Sequence, residues 1–162
     1  MLTEFTNLPD DARIWIYQAD KSLEADQVNR IEARAAEFCA HWTAHNTPLK
    51  SSYKVLHNKF LVLAVDESYN QASGCSIDTS VRFVQELEQQ LGVSFFDRTQ
   101  VAFLIDEHIY TTGLHNIKDE INAGKIARET LTFNLQAQNM AEFHQQWLVP
   151  AAESWMKRYF NA

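Results

Sequence analysis

Six consecutive residues, Phe60-Leu-Val-Leu-Ala-Val65, carry no polar side chain. The turn signal His57-Asn58-Lys59 precedes them, with Asn58 suited to positive φ, and Asp66 follows. So short a run between such boundaries reads as a strand rather than a helix. A strand that is apolar in both of its alternating sets has no face to offer water, so it must be covered on both sides. The rest of the chain has to supply those two covers.

The elements around this strand have clear periods. Arg13-Ile-Trp-Ile-Tyr-Gln18 is aromatic and β-branched and predicts a strand. Residues 24–45 predict a helix, with Val28, Ile31, Ala35, Phe38 and Trp42 in one buried stripe and Asn46-Thr-Pro48 as its stop. Cys39 lies at the border of that stripe as a packed thiol. Residues 49–57 alternate as a half-buried strand. Residues 76–91 predict a second helix that buries Ile77, Val81, Val84, Leu87 and Leu91, closed by Gly92. Val101-Ala-Phe-Leu-Ile105 is the next strand.

The resulting order is βαββαβ, the pattern of an α+β, ferredoxin-like core with an antiparallel sheet and two helices on one face. Its expected bounds are 12–106. The C-terminal extension, 107–162, is expected to add a loop or short helix near 116–123, one more strand at 130–135, and a long helix over 140–160. That helix would turn Met140, Phe143, Trp147 and Ala151 inward, with Pro150 either kinking it or starting a second one.

A length of 162 residues without repeats or Gly/Ser/Pro-rich linkers predicts a single domain spanning 1–162. The net charge of −7, with no basic run longer than Lys157-Arg158, argues against a nucleic-acid or anionic-membrane surface. No apolar run approaches the roughly 20 residues that cross a bilayer, and the first seven residues lack the basic and apolar regions of a secretion signal. Two cysteines in unlike settings predict no disulfide framework and a cytoplasmic location. Four Trp and ten Phe point to bulky packing and an aromatic-lined groove; Trp147 and Trp155 are candidates for an exposed binding face.

The stretch Asp66-Glu-Ser-Tyr-Asn-Gln-Ala-Ser-Gly-Cys-Ser-Ile-Asp78 holds carboxylates, a Gly and a Cys just before a helix start. In a split βαβ topology it would share one sheet edge with Trp42 and His45, with Lys50, and with Asp106, Glu107 and His108. His57 and Arg98 would lie at the opposite edge. A thiol at a helix start is favoured as thiolate, so Cys75 is the candidate nucleophile, His45 its base and Asp66 the group orienting the imidazole. Trp42, Lys50, Glu67, Ser76, Asp78 and His108 are the candidate ligand-binding residues of the same edge. The plainer roles are a small packed thiol at Cys75, helix caps at Ser76 and the carboxylates, and core packing at Trp42. His45, Cys75, Asp66 and His108 lack a recognised ligand spacing, so no metal and no cofactor are assigned.

Trp15-Ile-Tyr17, Trp42-Thr-Ala-His45, Val65-Asp-Glu67, Ala72-Ser-Gly-Cys-Ser-Ile-Asp78 and Phe96-Asp-Arg98 resemble a family of short bacterial proteins without established function. The Ser-Gly-Cys-Ser-Ile-Asp string is the most specific part, and the resemblance covers about residues 13–135. Members often carry the label "ABC transporter ATPase", which the residues do not support. A phosphate-binding loop needs Gly-x-x-x-x-Gly-Lys-Ser/Thr; here only Gly124-Lys125 matches, with Asp119 in place of the first Gly and Ile126 in place of the hydroxyl residue. The resemblance implies a compact family fold and draws attention to the Cys75 segment.

Two functional expectations follow. One is a ligand- or protein-binding module, its partner a small molecule or a protein, with a homodimer expected by analogy of fold. The alternative is a thiol-dependent enzyme of acyl transfer or hydrolysis that uses Cys75 with His45.

Overall fold

The computed structural model of the chain describes residues 1–160. Its strands are β1 (Arg13–Gln18), β2 (Thr43–Ala44), β3 (Thr47–Pro48), β4 (Ser51–Leu56), β5 (Phe60–Val65), β6 (Gln100–Ile105), β7 (His108–Gly113), β8 (Leu131–Phe133) and β9 (Leu148–Pro150). Its α-helices are α1 (Ala25–His41), α2 (Gly74–Leu91), α3 (Ile117–Asn122) and α4 (Met140–Gln146). The fold is α+β with antiparallel sheets.

The apolar strand β5 lies at the centre of a three-stranded sheet of order β1-β5-β4, and all six of its residues are buried. Leu61 and Leu63 face Ile31 and Ala35 of α1 and Phe83, Val84 and Leu87 of α2. Val62 and Ala64 face Leu8, Met140 and Phe143 on the other side. The two covers demanded by the sequence are therefore the helix pair on one face and, on the other, the C-terminal extension together with the N-terminal lead-in. That assigns the extension its docking place, the sheet face opposite α1 and α2.

The four-stranded ferredoxin-like sheet is not formed. In that arrangement residues 101–105 would pair with the first strand. Instead β6 belongs to a second sheet of order β7-β6-β8-β9. The physical reason is competition for one strand edge. Leu131 and Thr132 of β8 pair with Leu104 and Phe103, and the chain after β8 then reaches β1, where Arg13 bridges Asn139. The extension thus stands between the two strands that a closed βαββαβ sheet would join. Phe60 against Phe133 (ring centroids 4.7 Å apart) and Trp147 against both link the two sheets.

Three further expectations are corrected. The first helix stops at His41 rather than His45, because Thr43–Ala44 and Thr47–Pro48 form a small hairpin. His45 and Asn46, with φ of 53° and 63°, make its two-residue turn. The helix expected over 140–160 ends at Gln146, and Leu148–Pro150 becomes the edge strand β9 beside β8, as β-branched Val149 and the missing N–H of Pro150 allow at an edge. Met140, Phe143 and Ala151 are nevertheless buried as expected, while Trp147 is half-buried. The buried stripe of α2 is turned from the expected one: Ser76, Ser80 and Phe83 are buried, and Ile77 and Val81 lie at its border.

Candidate functional site

The loop after β5 is built largely from its own polar groups. Asp66 continues the ladder by donating its N–H to the Lys50 carbonyl (2.8 Å). Its carboxylate accepts from the Ser68 N–H (3.0 Å) and from the Ser68 hydroxyl, and its other oxygen lies 3.7 Å from the Lys50 ammonium. The Ser68 hydroxyl first, with the Ser68 N–H and Lys50 adding to it, holds the Asp66 carboxyl below the usual range against the opposing effect of burial. Glu67 accepts from the Ala72 N–H (3.0 Å) and closes the loop, and Asn70 donates to the carbonyls of Ala44 and Thr47. The two carboxylates therefore shape the loop.

At its far end Ser73 caps α2. Its hydroxyl accepts from the Ser76 N–H (3.1 Å), and the Ser76 hydroxyl accepts from the Ser73 N–H (2.7 Å), a reciprocal capping pair. The Trp42 indole donates to the Ser76 carbonyl (2.9 Å) from within the core and so ties the end of α1 to the start of α2. Trp42, Lys50, Asp66, Glu67 and Ser76 are thus brought together in one framework. Cys75 and Asp78, in the first turns of α2, and His45, in the hairpin turn, are exposed around it.

His108 lies apart from them, opening β7 in the second sheet after the Asp106-Glu107 turn, whose φ values are 51° and 65°. Among the described residues no hydrogen bond joins the Cys75 thiol to an imidazole, and no group of three or more His, Cys, Asp or Glu side chains could hold a metal ion. Cys39 differs from Cys75: it has no exposure, and burial pushes its thiol up to about 11. The arrangement presents one accessible thiol at a helix start, next to carboxylates already committed to the loop.

A larger feature lies elsewhere. Where β1 and β6 would pair in a closed sheet, they leave an open cleft of about 1270 Å³. One wall is β1, from Ile14 to Gln18, with Phe96; the opposite wall carries residues 132–138 and the turn at Trp155. One tie across it is the Gln18 side chain, which donates to the Gln100 carbonyl (3.1 Å). Leu114, Leu135 and Trp155 line this cleft and are 42%, 37% and 41% exposed, three of the large apolar side chains that the fold leaves open on one surface. The sequence did point to Trp155 as an exposed aromatic. The expected aromatic-lined groove fits this cleft, whose lining includes Trp15, Tyr17, Phe96 and Phe133, but its place in the fold arises from a strand pairing that periodicity does not encode.

Comparison of the chain with protein-family models, with curated proteins and with solved structures finds no match.

Proposed function

We propose that the chain is a cytoplasmic binding module that takes its ligand in the cleft between β1 and the second sheet. The observation that carries this reading is the gathering of Leu114, Leu135 and Trp155, all exposed, around one concave surface large enough for an extended ligand. Two cysteines without a disulfide fit a reducing compartment. ATP hydrolysis is not part of the proposal. Gly124-Lys125 follows α3 rather than leading into a helix, so its N–H groups do not form a phosphate cradle at a helix start.

Trp15 and Trp155 line the cleft and report on it. Titration with fractionated peptides and metabolites, followed through tryptophan emission, is expected to find a fraction whose effect Leu135→Glu abolishes. Absence of any such fraction, or an effect that Leu135→Glu leaves intact, contradicts the reading.

A second reading rests on the exposure of Cys75 in the first turn of the 18-residue helix α2. It is a thiol-dependent acyl transferase or hydrolase with His45 as base and Asp66 as the orienting carboxylate. The engagement of Asp66 by Ser68 and Lys50 weighs against it.

A further inference from the structure

The backbone along the cleft specifies more than a generic ligand. In β1, alternate residues turn their N–H and C=O groups to opposite sides. Ala19 donates to the Lys59 carbonyl (2.7 Å), which places the odd-numbered residues Arg13, Trp15 and Tyr17 on the side of β5. Ile14 donates to the Gln138 carbonyl (3.1 Å), Asp20 donates to the Ser94 carbonyl (2.9 Å), and the Ala12 carbonyl accepts from the Met140 N–H (2.9 Å). The even-numbered residues therefore face away from β5. Between those fastened ends, the carbonyl of Ile14 and the N–H and carbonyl of both Ile16 and Gln18 have no backbone partner among the described residues.

Unpaired strand edges are usually blunted by a charge, a proline, a bulge or a cover. Ile14-Trp-Ile-Tyr-Gln18 has none of the first two, and its pairing with β5 runs without a bulge. Two donors and three acceptors in line, at the repeat of a β-ladder, match the backbone of an extended chain. The free stretch spans four residue steps, about 13 Å, room for a segment of roughly five residues. Apolar side chains flank it on both walls, and two guanidiniums, Arg98 and Arg158, line the same cleft without a carboxylate partner among the described residues. Asp97, the nearest acidic residue in sequence, is committed to the N–H and hydroxyl of Thr99. Glu153 lines the cleft as well, so with Asp97 the charged lining is mixed, and an acidic group on the occupant finds a partner at either guanidinium rather than in a basic field.

We infer that the cleft receives an extended peptide segment of a partner protein, added as a strand along Ile14–Gln18. Its apolar side chains pack against Phe96, Leu135 and Trp155, and an acidic residue meets Arg98 or Arg158. This rests on the cleft being the binding site, and deepens that reading by naming the class of ligand.

The test is selection of phage-displayed random decapeptides on the intact chain, followed by N-methyl scanning of the tightest binder. Enriched peptides are expected to carry alternating apolar residues and at least one carboxylate. N-methylation of the peptide residue opposite Ile16 should weaken binding about tenfold or more, while methylation one residue away should matter little. Peptide binding should also slow amide exchange at Ile16 and Gln18. Ile16→Pro removes an N–H that β5 does not use, so it should weaken binding by a similar factor; should this variant fail to fold, the scan of the peptide still decides.

Binding that tolerates methylation at every position means recognition through side chains alone and overturns the inference. No enriched peptide, together with a non-peptide fraction that perturbs Trp155 emission, overturns it while leaving the binding-module reading in place. No peptide and no such fraction overturns both. Protection of Ile16 and Gln18 that rises with protein concentration alone would make the occupant a second copy of the chain, and also overturns it.

Discussion

The carboxamide of Gln18 donates to the backbone carbonyl of Gln100 across 3.1 Å, joining the last residue of β1 to the first residue of β6. These two strands would be ladder partners in a closed βαββαβ sheet. Here a side chain bridges them instead, and the buried Gln18 holds one end of the cleft.

Gln18→Leu keeps much of the side-chain volume and removes this bond. The expected loss is about 1 kcal/mol, a fall in thermal midpoint of roughly 2–4 °C for a chain of this size. Urea and thermal unfolding check it. An unchanged midpoint would mean that the bond does not hold the sheets together.

The Trp42 indole matters for a different reason. Its N–H to the Ser76 carbonyl is buried, so Trp42→Phe leaves that carbonyl its helical donor alone and opens space beside the Phe38 and Trp15 rings. A loss of about 1–3 kcal/mol is expected, well above that of Trp155→Phe at an exposed position. Equal losses at the two sites would show that Trp42 contributes little beyond surface area.

The two thiols should separate cleanly. Cys39 is inaccessible and its thiol is pushed up to about 11, so it should resist alkylation in the folded chain, whereas exposed Cys75 should react. One equivalent of label is expected under native conditions and two in denaturant, with Cys75→Ser taking the native count to none. If His45→Ala slows the Cys75 reaction severalfold, the thiol-enzyme reading gains at the expense of the binding module.

Stability should depend on pH at both ends of the range. The Asp66 carboxyl is held below its ordinary value, chiefly by the Ser68 hydroxyl. Its contribution is therefore complete above the unfolded value of about 4 and disappears as pH falls through the folded one. Asp66→Asn should flatten the acid limb of the stability curve.

Lys59 gives the opposite limb. Burial lowers its ammonium pKa, although its Nζ donates to the Ala19 carbonyl at 2.8 Å. The folded state then releases its proton more readily than the unfolded state. Stability should rise between the folded value and the unfolded value of about 10.4. Lys59→Met should remove that rise. Urea unfolding across pH checks both variants, and a curve unchanged by either substitution contradicts the corresponding assignment.

Much of the layer structure was legible in the sequence. Phe60–Val65 announced a strand covered on both faces, and the stripes through Ile31 and Leu87 announced the helices on one of them. The hairpin turn at His45 and Asn46 is hidden by the helical spacing of Trp42 and by strands of two residues each, too short to show a strand period. Leu148–Pro150 was hidden in the same way beneath the helical spacing of Met140, Phe143 and Trp147. At the candidate site, the nearness of Asp66, Glu67, Lys50, Trp42 and Ser76 follows from the element ends that local pattern marks, whereas the place of His108 depends on whether β6 lies beside β1, which it does not. A strand partner is a long-range choice between nearly equal edges, and no local pattern in Leu131–Phe133 says that it takes the edge of β6.

The most direct measurement is residue-resolved amide hydrogen exchange in the ligand-free chain. The open edge requires alternation along β1: slow exchange at Trp15 and Tyr17, which face β5, and fast exchange at Ile16 and Gln18, which face the cleft. Equal protection at all four amides, independent of protein concentration, would mean that β1 is paired on both sides. The cleft, and the binding role assigned to it, would then be contradicted.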